Sequence, residues 1–218
     1  MTSAPHPDFL LWQLADSAFP TGGFAHSAGL EAAWQHGEIR RTDGLADFIE
    51  TSLWQLGHGS LPLMLAAYEE PKELDELDRL CESLTTSHVA NRASRLQGRA
   101  MFASARRIFA LPDPELDPPF DHLAPVFGCV ARLLGTGADA AGRLFLFQHL
   151  RGLAAGAVRL GIAGPMEAQA IQHRLGPAAE RVLTACRNLG VDECAQTAPL
   201  LEIWQTAQDR LYSRLFQS

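Results

Sequence analysis

The chain has 218 residues, of which 47% are hydrophobic and 20% charged, and its formal net charge is −7. This length and composition suffice for one sizeable core and differ from those of a disordered chain. The negative charge argues against nucleic-acid binding, which depends on neutralising phosphates. The N-terminus has no basic leader, no apolar run reaches transmembrane length, and the four cysteines are widely spaced. We therefore expect a cytoplasmic protein without membrane spans or disulfides.

Helical periodicity dominates the first part of the chain. Apolar residues recur at helical spacing between 45 and 56, and Thr42 is the predicted N-cap of that helix. Ser27 is predicted to cap the shorter helix before it. The stretch 69–82 carries seven carboxylates but keeps an apolar stripe, which predicts an ordered helix with a solvated acidic face.

A basic helix is predicted next. Residues 87–110 contain five arginines and no acid, and four of the arginines align on one side of a helix: Arg92, Arg95, Arg99 and Arg106. Like charges in a row repel one another unless acidic groups neutralise them. Two interpretations stay open: the preceding acidic helix neutralises them, or an acidic partner surface or a phosphate does.

The remaining sequence also predicts helices. A proline-rich stretch at 111–121 predicts an irregular loop, and Gly176–Pro177 predicts a helix break. Gly152 and Gly156, one turn apart, predict the close approach of another helix. After Pro199 the last helix is expected to carry one apolar stripe, formed by Leu200, Trp204, Ala207, Leu211 and Leu215.

No stretch shows the sustained alternation that is typical of strands. The sequence therefore predicts an all-α fold, a single-domain helical bundle of about nine to ten helices spanning residues 1–218. The N-terminus (1–8) and the C-terminal tail (about 208–218) are expected to be mobile.

The most unusual stretch is FPTGGFAHSAGLE, residues 19–31. Pro20 fixes its own φ, and Gly22 and Gly23 allow backbone angles that side chains would forbid, so the chain makes a specified turn. It is either a corner between helices with an incidental His26 or a loop that carries function.

No motif for catalysis or metal binding is found. Residues 137–144 superficially match a phosphate-binding loop, but Arg143 replaces the required lysine and Leu144 the required hydroxyl. The eight histidines are never closer than ten positions, so no helix offers a ligand pair. We expect no catalytic residue, no stably bound cofactor and no metal site.

Five collinear stretches resemble the urease accessory protein UreF family. They are LLWQLADSAFPTGGFAHSAGLEAA (10–33), SRLQGRA (94–100), HLAPVFGCVARLLG (122–135), the segment from AAGAVRLG to GPMEAQ (154–169), and LYSRLFQS (211–218). The match covers essentially the whole chain. The sequence departs from the family at Gln208 and Asp209, where a histidine–glutamate pair is frequent.

The resemblance implies an all-α homodimer that is not itself an enzyme. Family members bridge UreD (UreH in some organisms) and the nickel-carrying GTPase UreG, so that nickel reaches apo-urease. Modulation of the GTPase is proposed for the family too. Nickel would be handled by the complex, without a stable site here.

The resemblance also implies recognition residues in three stretches. The candidates are Pro20, Thr21, Gly22, Gly23, Phe24, His26, Ser27 and Glu31 in the turn, Arg95, Gln97 and Arg99 in the basic helix, and Tyr212, Ser213, Arg214, Leu215 and Phe216 in the tail.

Two other functions remain open. An all-α enzyme or small-ligand-binding bundle would need polar side chains that converge in a cavity, for which His26, His122 and Glu167 are the candidates. A stand-alone nickel store would need histidine clusters, which the sequence lacks.

Overall fold

The computed structural model describes residues 7–40, 42–111 and 116–218. This part of the chain forms ten α-helices, four short 3-10 segments and no strand. The helices are α1 (Pro7–Ala15), α2 (Leu30–Gln35), α3 (Thr42–Gly59), α4 (Leu61–Glu69), α5 (Leu74–Leu84), α6 (His88–Phe109), α7 (Leu123–Leu133), α8 (Ala138–Arg159), α9 (Pro165–Cys186) and α10 (Pro199–Ala207). The predicted all-α fold is confirmed. The mobility expected for residues 1–8 falls almost entirely outside the described residues.

The helices surround one core in which α7 is the central element. Every residue of α7 from Ala124 to Ala131 is buried, and α4 lies directly against it. A Cβ on Gly128 would stand 1.9 Å from the carbonyl oxygen of Met64, so only glycine allows this approach of the two backbones. Around this pair, α8 packs on α9, α3 on α9, and α6 on α7.

A long-range cap fixes the start of α7. The buried carboxylate of Asp78 on α5 accepts hydrogen bonds from the backbone N–H groups of Phe120 (2.6 Å), Asp121 (3.0 Å) and His122 (2.8 Å). Two of these donors belong to the loop before α7, and the third belongs to its N-cap residue, His122. Buried backbone N–H groups outside a helix need such partners. The loop and α7 are therefore tied to α5 at a fixed angle. Asp121 lies in the left-handed region (φ 64°).

Two predicted helix boundaries are wrong. Ser27 does not cap α2, because its buried hydroxyl has no hydrogen-bond partner and Gly29, in the left-handed region (φ 84°), precedes the helix. The predicted break at Gly176–Pro177 lies inside α9. Pro177 and His173, whose carbonyl loses its helical bond, are not buried, so water can replace the missing donor.

Two further expectations fail for reasons of packing. Gly152 is exposed and no other atom lies within 4 Å of the place where its Cβ would stand, so no helix approaches there, while Gly156 makes ordinary contacts with Leu30 and Phe216. The predicted apolar stripe of the last helix is not continuous, since α10 ends at Ala207. Its buried side is marked by Leu201 instead of Leu200.

Among the described residues, three of the five arginines of α6 face carboxylates of the same molecule. Arg92 pairs with Asp209 (3.0 Å) and Arg99 with Asp121 (2.8 Å). Arg95 lies 4.0 Å from Glu82 and stacks on Phe120, whereas Arg106 donates to the Leu116 carbonyl. Within the described chain, the tail and the loop before α7 therefore supply more of the neutralisation than the acidic helix.

None of the described helices has both the length and the apolar character that crossing a membrane requires.

Candidate interaction surface

The turn 19–31 is a rigid structure held between α6 and α8. A single 3-10 turn, Gly23–Ala25, follows Gly22, which adopts φ 72°. From α6, Ser104 donates to the Pro20 carbonyl at 3.3 Å, and the Gln97 side chain lies 3.1 Å from the position of a Cβ on Gly23. From α8, Arg159 donates to the Phe24 carbonyl. Specified backbone angles and contacts from two long helices leave this loop little freedom.

The C-terminal tail folds back onto this turn through Glu31. The carboxylate of Glu31 is 2% exposed and accepts from the backbone N–H groups of Leu215 (2.6 Å) and Phe216 (3.1 Å). The Gln208 amide donates to the same carboxylate at 2.6 Å. A buried carboxylate is costly unless such bonds replace its hydration. Glu31 therefore contacts the tail, not solvent.

Backbone and aromatic contacts complete the attachment of the tail. Ser27 donates its N–H to the Ser218 carbonyl (2.5 Å), and Gln217 donates to the Ala25 carbonyl (2.8 Å). The ring of Phe216 is 4% exposed and lies 4.1 Å from the Arg159 guanidinium. Since Arg159 also bonds Phe24, one side chain of α8 holds both turn and tail.

A cluster of basic side chains at Asp209 attaches the start of the tail to α6. The Asp209 carboxylate receives hydrogen bonds from His88 (3.1 Å), Arg92 (3.0 Å) and Arg214 (2.8 Å). The bond from Arg92 is the main reason that the pKa of Asp209 lies below its usual value, with His88 and Arg214 acting in the same direction. Asp209 thus remains ionised and links α6, the end of α10 and the tail.

The joined turn and tail still present apolar side chains to solvent. Phe24 is 76% exposed, Leu215 is 51% exposed, and Tyr212 is fully exposed. Exposed aromatic residues next to arginine are typical of protein interfaces. Of the apolar tail residues predicted to recognise a partner, Tyr212 and Leu215 are therefore exposed, whereas Phe216 is buried within the protein.

Two histidines near the turn are held in the neutral form. His26, whose Nδ1 contacts the Ser218 hydroxyl, has its pKa lowered to about 4 by burial and by the charge of Arg92. Burial lowers the pKa of His149 on α8 to about 4 as well, and its Nε2 bonds the Ser52 hydroxyl at 2.7 Å. Both side chains line the same cavity.

The residues considered for an enzyme do not share a cavity. His122 is fully buried between Glu82 (2.8 Å) and Ser94 (3.1 Å), where it joins α5, α6 and α7. Glu167 is exposed in the first turn of α9. In the described part of the chain, no three histidine, cysteine, aspartate or glutamate side chains are grouped so as to hold a metal ion.

Among the predicted recognition residues, the structure brings together those of the turn, those of the tail and Gln97, but not Arg95 and Arg99. Arg95 and Arg99 contact Glu82 and the loop before α7. Sequence reasoning missed Arg159 and the role of Asp209, and it did not anticipate that Glu31 is internal. Glu31 and Gln208 lie 177 positions apart, and no local pattern signals such a contact.

The fold and this surface define the class of the protein, which is an all-α domain with a loop clamped to its own C-terminal tail. The exposed aromatic side chains of the joined loop and tail form a surface suited to binding other proteins.

Comparison with known sequences supplies the family. The sequence profile of the UreF family matches residues 39–176. The chain is 38% identical over 219 residues to urease accessory protein F of Arabidopsis thaliana, covering 95% of this chain and 91% of that protein. For urease accessory protein F of Oryza sativa subsp. japonica the identity is 34% over 220 residues, with 94% and 83% covered. The urease accessory protein UreF of Mycobacterium tuberculosis is 30% identical over 211 residues, with 96% and 98% covered.

The chain belongs to the UreF family of urease accessory proteins. The resemblance inferred from its motifs is thereby confirmed.

Proposed function

We propose that this protein is a non-catalytic adaptor in urease maturation. It bridges a UreD/UreH-type protein and a UreG-type GTPase to apo-urease, so that nickel enters the urease active site. Family membership supports the maturation role, because the relatives are named as urease accessory proteins. The adaptor role draws its support from one structural observation, the turn and tail joined through Glu31.

In this proposal, the buried and the exposed residues of the turn and tail have different roles. Glu31 and Phe216 are internal and position the tail, whereas Tyr212 and Leu215 are free to contact the UreD-type partner. On α10, Leu200 and Ile203 are 65% and 56% exposed and extend the apolar surface toward the tail. Arg95 and Arg99 remain candidate partner contacts, with side chains 37% and 64% exposed.

The proposal is tested by reconstitution. Purified apo-urease, the UreD-type protein, the UreG-type GTPase, GTP and nickel are combined with and without this chain, and urease activity and GTP hydrolysis are measured. We expect the complete mixture to form one complex and to gain urease activity that depends on this chain. Equal activation without it would contradict the adaptor role, and turnover of a small substrate by the chain alone would contradict the non-catalytic one.

We further propose that a second copy of the chain covers the outer face of α1. Phe9 and Trp12 are each 62% exposed and stack edge to face at 5.2 Å, an aromatic pair that a partner surface would bury. Light scattering should give a dimer for the native chain and a monomer for Trp12→Glu, with Met166→Glu, at another exposed apolar site, remaining dimeric. If the native chain and both variants are dimers, the interface does not lie on α1.

A further inference from the structure

A cavity of about 240 Å³ lies beneath α10 and the tail. Its walls are formed by side chains from α3, α5, α6 and α8, including Ser52, Cys81, Gln97 and His149. Its roof is formed by residues 194–196, by α10 and by Ser218. The volume corresponds to roughly eight water molecules at the density of the liquid.

The walls of the cavity are mainly apolar, with a few polar groups and almost no charge. Serine hydroxyls, glutamine amides and two imidazoles interrupt the apolar lining, and Glu202 supplies the single carboxylate side chain among the described lining residues, which include no lysine or arginine. His26 and His149 add no charge at neutral pH, because burial lowers the pKa of each to about 4. An anion would lose its hydration here without gaining a cationic partner, which is unfavourable. The lining suits an uncharged molecule that forms hydrogen bonds.

The roof is attached mainly by polar contacts. The Gln55 side chain accepts from the Ala198 N–H (2.7 Å) and the Thr197 hydroxyl (3.2 Å). Thr86 donates to Glu202 (2.5 Å), and the hydroxyls of Thr206 and Ser87 bond at 3.0 Å.

Few apolar side chains help to hold the roof in place. Within residues 194–218, Leu201 and Phe216 are buried and Trp204 is half-buried. Leu200 and Ile203 of α10 face solvent. Segments with so little apolar burial open locally at lower free energy than the core.

We propose that this cavity is a binding chamber for a small uncharged molecule with amide or hydroxyl groups, and that residues 194–218 form a lid that controls entry to it. The proposal is independent of the adaptor role. The proposal requires that the chamber admit uncharged small molecules in preference to anions. It also requires that the rate of entry depend on the contacts that hold the lid.

Two cysteines report on entry and on global unfolding separately. Cys81 lines the chamber, whereas Cys129 is buried in α7 away from it. The full-length protein is treated with iodoacetamide, a small uncharged amide, or with iodoacetate, its anionic counterpart, and each cysteine peptide is quantified by mass spectrometry. The ratio of the two rates at Cys81 in the urea-unfolded chain supplies the intrinsic reference.

We expect iodoacetamide to be preferred over iodoacetate at Cys81 of the folded protein, at least about tenfold above the unfolded reference. Burial raises the pKa of the Cys81 thiol to about 12, so its absolute rate in the folded protein is low and is compared only between variants. Glu31→Gln, which weakens the tail attachment, should raise the Cys81 rate several-fold and leave Cys129 unchanged. Glu38→Gln, at a carboxylate outside the chamber and the tail, is the matched control. No added preference for the uncharged reagent, or no response of Cys81 to Glu31→Gln, would each overturn the proposal.

Discussion

Glu31 shows how a single buried carboxylate can organise a binding surface. It belongs to the turn, yet its bonds go to Leu215, Phe216 and Gln208 at the other end of the chain. Its substitution would therefore act on partner binding through the conformation of the tail.

Glu31→Gln should release the tail while leaving the helical bundle folded. The new amide group would replace one carboxylate oxygen by a donor that faces other donors, at a cost of about 1–3 kcal/mol. We expect hydrogen exchange at the Leu215 and Phe216 amides to accelerate at least about tenfold, since tenfold corresponds to about 1.4 kcal/mol. Exchange of these amides at the native rate, or at the rate given by Glu38→Gln, would show that Glu31 does not hold the tail.

The neutral histidines predict a loss of stability in mild acid. In the folded protein the pKa values of His26 and His149 are lowered to about 4, whereas the ordinary value is 6.5. The unfolded chain therefore binds protons first, and the stability present above pH 6.5 falls as the pH drops toward 4. His149 should contribute up to about 1.4 kcal/mol per pH unit, and the partly exposed His26 less.

Urea unfolding of the native chain and of His149→Gln between about pH 6.5 and about pH 4.5 measures this contribution. The lowered pKa values of Glu82 and Asp209 act at lower pH, so they do not account for a slope in this window. We expect a shallower pH dependence for the variant. Identical slopes would mean that His149 protonates normally in the folded state.

At the scale of elements, the contact between α4 and α7 is the tightest in the core. The sequence does not distinguish the glycine that allows it, Gly128, from the glycines at 152 and 156, which the spacing favours. The spacing of glycines along a helix shows that a second backbone could approach closely. Whether one does so depends on which elements pack against that helix. Met64 lies against Gly128, while nothing lies against Gly152.

Alanine substitutions at these two glycines should have opposite effects. At Gly128 the added Cβ overlaps the Met64 carbonyl oxygen, so Gly128→Ala should lower the free energy of unfolding by about 3 kcal/mol or more. At exposed Gly152 the substitution removes backbone entropy from the unfolded chain and should stabilise by about 0.5–1 kcal/mol. Urea unfolding measures the free energy of unfolding of both variants. Equal changes in the two variants would contradict this account of the core.

The presence of most helices could be predicted from the sequence. The residues at which a helix begins or ends could not be predicted where they depend on packing. The run of arginines and apolar residues at helical spacing was sufficient for α6. At Pro177, by contrast, the helix continues because solvent can bond the freed carbonyl, which depends on which side of α9 faces outward. In the same way, the charge pattern of α6 indicated that acids must neutralise its arginines, but not that Asp209 and Asp121 would be among them.

At the scale of the molecule, the two ends of the sequence meet in one surface. The motifs in the turn and tail predicted that both segments are recognition elements, and the family was evident from the order of the motifs along the chain. Their direct contact could not be predicted, because it depends on the path of the helices between them. Ser218, at the end of this contact, also lines the cavity, so the conformation of the tail affects both the surface and the cavity.

The central claim is that the exposed side chains of the clamped tail bind the UreD-type partner. It is tested most directly by the dissociation constant of this complex, measured by calorimetry for the native chain, for the double variant Tyr212→Ala/Leu215→Ala and for Met166→Ala, which truncates an apolar side chain that is 85% exposed on α9. We predict that the double variant binds at least about tenfold more weakly, because each truncated anchor costs about 1 kcal/mol or more, while Met166→Ala binds normally. Native affinity in the double variant would contradict the claim.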